Sequence, residues 1–220
     1  MKNNKRIFHG GNMKIKQQKE IKKFLNDEFK TEKANLLFNN QEIILKDLIK
    51  KIKDKSKKQK KILIQVILPR IALYKAMLED GLPEDNVYKY MKKYMIDIVA
   101  SKKHLTLEKM EKVPGFYTIY SNIFLLIVNK TDSWESVQNH GKNYFDVTIK
   151  KCLWHTACVE NNCEKLCHLF CDVDNVTYGN LKKIGFSRTK TLGFGGDCCD
   201  FHFYKKYFIY IRNTIQIMFR

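Results

Sequence analysis

The chain has 220 residues, long enough for one sizeable core preceded by an arm, and its 44% hydrophobic and 12% aromatic content excludes wholesale disorder. Its net charge of +18 would suggest an anionic partner, yet residues 1–61 hold 19 Lys and Arg against 7 Asp and Glu while the remainder holds 22 against 16, so the excess is concentrated in a Lys-rich arm. No zinc-finger spacing and no aromatic RNA-binding sheet signature accompanies that charge, which reads as a solvated face and argues against a nucleic-acid partner.

Residues 1–12 carry little pattern and read as a tail. From Met13 to about Asp54 the apolar residues Ile21, Phe24, Leu25, Phe29, Ile43, Ile44, Leu48 and Ile52 recur at three- and four-residue spacing, predicting two amphipathic helices broken near Asn39-Asn40. The run Lys53–Lys61 reads as a connection or an exposed helical turn. Ile62–Leu78 is apolar on most sides and suits a buried helix, with Pro69 bending it or marking its first turn. Gly81 is placed to stop that helix and Pro83 to start the next, in which Val87, Tyr90, Met91, Tyr94, Met95 and Ile98 form one core stripe. Thr106 is placed to cap a short helix ending before Pro114-Gly115, and Phe116–Val128 reads as a further helix.

Asp132-Ser133-Trp134 and Asn139-His140-Gly141 are loop signals, after which the period changes. Phe145, Val147 and Ile149 alternate with polar residues, as do Ile184–Leu192 and Cys199–Tyr204, with Gly193, Gly195 and Gly196 turning between the last two. Helices first and strands last predict an α+β fold: an N-terminal helical bundle followed by a small antiparallel sheet carrying the Cys-rich motifs.

The most apolar window, Ile62–Leu68, is interrupted by Gln65 and followed by Pro69-Arg70, far short of the roughly 20 residues of a membrane span, and no export signal is visible. A cytoplasmic location without membrane insertion is expected. All seven cysteines lie between Cys152 and Cys199, and an odd number in such a chain reads as thiols, metal ligands or catalytic groups rather than disulfides. Cys163, Cys167 and Cys171 would share a helix face and, with Cys198, Cys199 or His168, offer a zinc or iron–sulfur ligand set. No C-x2-C knuckle supports that set, and Cys152 and Cys158 read as packing. Acidic neighbours do not activate a thiol, so a cation from His168, Arg188 or His202 would be needed, and Arg188 also offers a two-pronged donor for a carboxylate. Gly193–Gly196 lacks the Lys-Ser/Thr of a phosphate loop and reads as a tight turn, or more weakly as an anion-holding nest of backbone amides.

The stretch Arg188-Thr189-x-Thr191-Leu192-Gly193-x-Gly195-Gly196-Asp197-x-Cys199-Asp200-Phe201, preceded by Leu166-Cys167-x-x-Phe170-Cys171-x-x-Asp174, resembles the L-2-amino-thiazoline-4-carboxylic acid hydrolase family. Leu68-Pro69-Arg70-Ile71-Ala72-Leu73-Tyr74-Lys75 resembles an earlier helix of that family. The likeness covers roughly residues 60–204, dividing the chain into a Lys-rich helical arm at 1–60, a hydrolase-like domain at 61–204 and a tail at 205–220. It implies hydrolytic opening of a small cyclic isothiourea at the carbon bonded to nitrogen and sulfur, giving a carbamoyl-cysteine. Carried over by position, the nucleophile is Cys171 or Cys199 and the acid or base Asp174 or Asp200. Arg188 is expected to hold the carboxylate, with Thr189, Gly195, Gly196 and His202 on the substrate side. The expected partner is a small-molecule substrate, and no cofactor is assigned. The alternative is a Cys-rich zinc or iron–sulfur binding module without turnover.

Overall fold

The computed structural model describes residues 15–206. The predicted tail at residues 1–12 and nearly all of that at 205–220 lie outside them. The chain divides into two compact units, one ending at Leu82 and the other beginning at Pro83.

The first unit is helical. Helix α1 (Lys16–Glu28) buries Ile21, Phe24 and Leu25, the periodic positions of the sequence. Helix α2 (Thr31–Lys50) follows after a break at Phe29-Lys30, not at Asn39-Asn40. Both asparagines lie inside α2, because Leu37, Gln41, Leu45 and Leu48 carry one buried stripe straight past them, and burial outweighs the modest helix penalty of Asn. Gln41 is fully buried in that stripe and exchanges amide hydrogen bonds with Gln18 at 2.8 and 3.0 Å while donating to the Pro69 carbonyl at 3.1 Å.

The Lys-rich run resolves into a turn and helix α3 (Lys57–Ile62), started by a reciprocal cap in which Ser56 Oγ accepts from the Gln59 amide and Gln59 Oε1 from the Ser56 amide. A π-helical turn (Leu63–Ile67) leads into helix α4 (Leu68–Glu79), where the Leu68 amide reaches five residues back to Leu63. Pro69 sits in the first turn of α4, where its missing donor costs least. Gly81, at φ +83°, ends α4 through paired bonds from the Gly81 amide to Leu78 O and the Leu82 amide to Met77 O.

The second unit opens with α5 (Glu84–Lys92), a π-helical segment (Lys93–Ala100) and α6 (Ser101–Met110). Val87, Met91, Tyr94 and Met95 are buried as the stripe predicts, but Ile98 is 37% exposed and Val99 and Ala100 take the next buried places. The extra residue per π turn advances the register by one, which a 3.6-residue period cannot anticipate. Thr106 is interior to α6, its hydroxyl bonded back to the Lys102 carbonyl, and caps nothing. Helix α7 (Phe116–Lys130) matches the predicted segment.

The sheet has four antiparallel strands in the order β1-β2-β4-β3: β1 (Trp134–His140), β2 (Tyr144–Cys152), β3 (Ile184–Ser187) and β4 (Cys199–Lys205). Strands β2 and β4 match two of the three alternating segments of the sequence, while β1 lies between two loop signals that conceal it. Strand β3 is shorter than predicted, ending at Ser187. Helices α8 (Leu153–Glu160) and α9 (Glu164–Tyr178) cross between β2 and β3. The first Cys-rich motif therefore sits on a helix, not on the sheet; only the second enters a strand.

One sheet face presents Phe145, Val147, Ile149, Phe201 and Phe203 to Phe116, Tyr117 and Val128 of α7, with Tyr120 and Phe124 packed alongside. Buried Glu111 anchors the start of β3, its carboxylate accepting the amides of Lys182, Lys183 and Ile184 at 2.7, 2.5 and 3.3 Å. No helix among the described residues is long and apolar enough to cross a membrane.

Candidate active site

On α9 the spacing of the first motif becomes a row. Cys167, Cys171, Asp174 and Tyr178 follow one another at four, three and four residues, so they stack along one side of the helix. Thiol–thiol hydrogen bonds join Cys167 to Cys171 and to Cys158 of α8, and Cys158 in turn contacts Cys163.

The second motif is laid against this row. Beyond β3 the chain turns, and the Asp200 carboxylate holds the turn by accepting the Thr189 amide at 3.0 and 3.2 Å, the Thr189 hydroxyl at 2.5 Å and the Lys190 amide at 2.9 Å. A 3-10 turn follows (Leu192–Phe194), capped by the Thr191 hydroxyl and closed by Gly195 at φ +82°. Gly193 is the point of closest approach: a Cβ there would fall 2.7 Å from Cys171 Sγ and 3.1 Å from Cys167 Sγ. Two further links tie this segment to the sulfurs, because the Leu192 amide donates to Cys199 Sγ at 3.3 Å and Thr191 hydrogen-bonds Cys171.

Arg188 completes the arrangement. Its side chain is 7% exposed, lies over the rings of Phe186 and Phe201 at 5.8 and 5.6 Å, and donates through Nη2 to the Cys171 carbonyl at 2.7 Å. Nη1 stands 3.6 Å from Asp174 Oδ2 and, although buried, has no hydrogen-bond partner. Cys171, Asp174, Arg188, Gly193 and Cys199 thus meet in the second unit.

A family model described as L-2-amino-thiazoline-4-carboxylic acid hydrolase matches residues 59–203, well over half of the chain. The chain belongs to the L-2-amino-thiazoline-4-carboxylic acid hydrolase family. Searches of curated proteins and of solved structures find no match.

Within this hydrolase-family chain the electrostatics separate the thiols. Contact with Cys167 and then burial push Cys171 up, against the opposing bond from Thr191. Burial raises Cys199, opposed by the Leu192 amide and Arg188. Cys167 moves the other way, lowered by the hydrogen bonds from Cys158 and Cys171, with the nearby imidazoles of His155 and His168 adding to the effect against burial. It is the sulfur that most readily carries the negative charge, although only 2% of its surface is exposed. Burial lifts Asp174 to about 6 against the pull of Arg188, with 31% of its side chain still in contact with solvent. Burial also raises Tyr178, whose hydroxyl meets that of Tyr120.

Other expected site residues lie differently. Cys199 and Asp200 are neighbours on a pleated strand and so point to opposite faces; Asp200 is committed to the Thr189–Lys190 turn, and although burial works against ionisation, those hydrogen bonds hold its carboxyl below the usual range. Thr189 is spent on the same contact. The amides of Gly195 and Gly196 bond within the loop to Leu192 O and Thr191 O at 3.1 and 2.9 Å, leaving no open nest. His202 lies on the face away from Cys199 and pairs with Asp146 at 2.6 Å. All seven cysteines are free thiols, and among the described residues no group of three or more His, Cys, Asp or Glu is arranged to hold a metal ion. Cys152 is held up at about 12 by burial, while Cys158, expected only to pack, belongs to the thiol row. Tyr178 and Thr191 have no role assigned from the sequence, and Cys167 only that of a candidate metal ligand; the spacing on α9 marks Cys167 and Tyr178.

Proposed function

We propose that this chain hydrolyses a small cyclic carbon–nitrogen substrate of the thiazoline type in the cytoplasm, opening the ring with a thiol. The observation that carries the reading is the seating of the Gly193 turn on Cys167 and Cys171 beside the unsatisfied Arg188 guanidinium. A buried guanidinium nitrogen with an ionic neighbour but no hydrogen bond is costly to leave so, and a substrate carboxylate is the natural acceptor.

Cys171 is the partly exposed thiol of the row and the nucleophile. Its proton passes to the basic ring nitrogen of the substrate as the thiol adds, and the neighbouring Cys167 sulfur accepts the hydrogen bond that orients it beforehand. Cys171 Sγ attacks the ring carbon bonded to nitrogen and sulfur, and the ring sulfur leaves with the proton supplied by Asp174, which is partly protonated near neutral pH. Water adds to the carbon now attached to Cys171 and expels the enzyme thiol, giving a carbamoyl-cysteine in which one water has been gained. Cys199 and Asp200 hold the turn that covers the sulfurs rather than react.

Incubation with L-2-amino-thiazoline-4-carboxylate, followed by mass spectrometry for a product heavier by one water, tests the reaction. Cys171→Ala and Arg188→Ala should each retain the fold and lose turnover by on the order of 10²–10⁴-fold. Full activity in both variants would sink this site, and no turnover of any cyclic isothiourea would sink the reaction.

A further inference from the structure

We propose that the outward face of α7 is a self-association surface, on which a second copy of this chain docks antiparallel about a two-fold axis through Ile123. The inward face of α7 is fully engaged with the sheet through Phe116, Tyr117 and Val128, with Tyr120 and Phe124 alongside. The helix is therefore firmly seated, and among the described residues its other side is left exposed. Ile119, Ile123, Leu126 and Ile127 there are 44, 50, 52 and 56% exposed, and their spacing places them along one stripe. Met110 and Val113 extend the apolar surface through the turn into α7, where the Val113 carbonyl accepts the Phe116 amide; they are 43 and 47% exposed. Soluble monomers scatter such residues, and six large aliphatics between Met110 and Ile127 mark a contact.

Charge decides the occupant. The exposed polar neighbours of the stripe are Thr118, Asn122 and Asn129, so from Phe116 to Asn129 the helix carries no charge in a chain with 29% charged residues. Nucleic acid, an acidic peptide or an anionic headgroup finds nothing to recognise on it. Two copies each bearing +18, however, can approach along Phe116–Asn129 without opposing like charges, because Lys109, Lys112 and Lys130 lie beyond the ends of that stretch.

The stripe is also self-complementary. Ile119 and Ile127 lie four residues on either side of Ile123, so antiparallel pairing sets Ile119 of one copy on Ile127 of the other and Ile123 on itself. This is the isologous contact that closes as a dimer. Lys130 lies beyond the stripe.

Sedimentation of the full chain should show a mass rising with concentration from 26.1 kDa towards twice that value. Ile123→Asp places two carboxylates at the axis and should weaken association by on the order of a hundredfold or more, leaving the circular dichroism and melting temperature unchanged because the position is exposed. Ile123→Cys, mildly oxidised, should yield a peptide spanning position 123 linked to its own copy. A chain that stays monomeric from micromolar to hundreds of micromolar overturns the proposal, whether the face is then bare or covered from within the same chain. A dimer that survives Ile123→Asp overturns it equally.

Discussion

Gly193→Ala isolates the contact on which the proposed site depends. Gly193 does not adopt a left-handed conformation, so a methyl group there adds no backbone strain and acts only through what it touches. It would stand 2.7 Å from Cys171 Sγ and 3.1 Å from Cys167 Sγ, with the Cys167 carbonyl at 3.3 Å, whereas relaxed heavy-atom contacts lie near 3.5–4.0 Å. Neither sulfur can retreat freely, since each is held by its thiol partner and by the helix. The turn must instead lift from α9 by roughly an ångström. Overpacking of this kind costs about 1–3 kcal/mol, a fall of ~0.5–1.5 M in the urea midpoint for a slope near 2 kcal/mol/M. Displacement of the reacting group on that scale should lower turnover by about 10²-fold. Gly195→Ala is the control, because at φ +82° with nothing within 4 Å it should lose ~1–2 kcal/mol to backbone strain without touching the sulfurs. Adding Cys171→Ala to Gly193→Ala removes the atom in closest conflict, so the two stability losses should fall short of their sum by about 0.5–3 kcal/mol. A Gly193→Ala protein with wild-type midpoint and wild-type turnover would refute the seating of the turn on the thiol row.

Asp174 carries a pH signature of both function and stability. Its carboxyl is raised from 3.8 to about 6, so its ionised form is the one that folding disfavours: stability is greatest below the unfolded value and declines as pH rises from about 4 through 6, by at most about 3 kcal/mol. Asp174→Asn should therefore melt higher than wild type at pH 8 while abolishing turnover, and wild-type activity should fall on the alkaline side of pH 6; a melting temperature lowered at pH 8 would contradict the assignment. In the first unit, Gln41→Leu removes the hydrogen bonds to Gln18 and Pro69 and should cost about 1–3 kcal/mol in urea unfolding without changing the Michaelis constant, and an unchanged midpoint would show those bonds to be of no consequence.

The parts of the fold legible in the sequence are those where burial repeats at one period. Ile21, Phe24 and Leu25 on α1 and the alternating residues of β2 and β4 are found by spacing, because each buried face is continuous. Strand β1 escapes because it is an edge strand in which neither face is fully buried, so Trp134–His140 shows no alternation strong enough to outweigh its flanking loop residues. Ile98 escapes because a π turn adds a residue to the period, and Asn39-Asn40 misleads because local propensity yields to the stripe through Gln41.

The site divides along the same line. The four-residue step from Cys167 to Cys171 specifies a shared helix face once α9 is known to be a helix, and Asp174 and Tyr178 extend that face, while Cys163 falls just before the helix. Adjacency, by contrast, is misleading in a strand: Cys199 and Asp200 look like one reactive pair, but the pleat sends them to opposite sides, one to the sulfurs and the other to the turn. What no spacing reveals is the order of ionisation among the thiols, because it depends on Cys167 receiving bonds from both neighbours at once. The bond from Cys158 arises from the crossing of α8 and α9, a tertiary fact. The same dependence explains why residue type alone invites a metal at this cluster: three thiols at four-residue spacing look like ligands, whereas Cys163 precedes α9 and bonds to Cys158, and Cys167 is joined to Cys171 and Cys158 in a chain of hydrogen bonds rather than about a point.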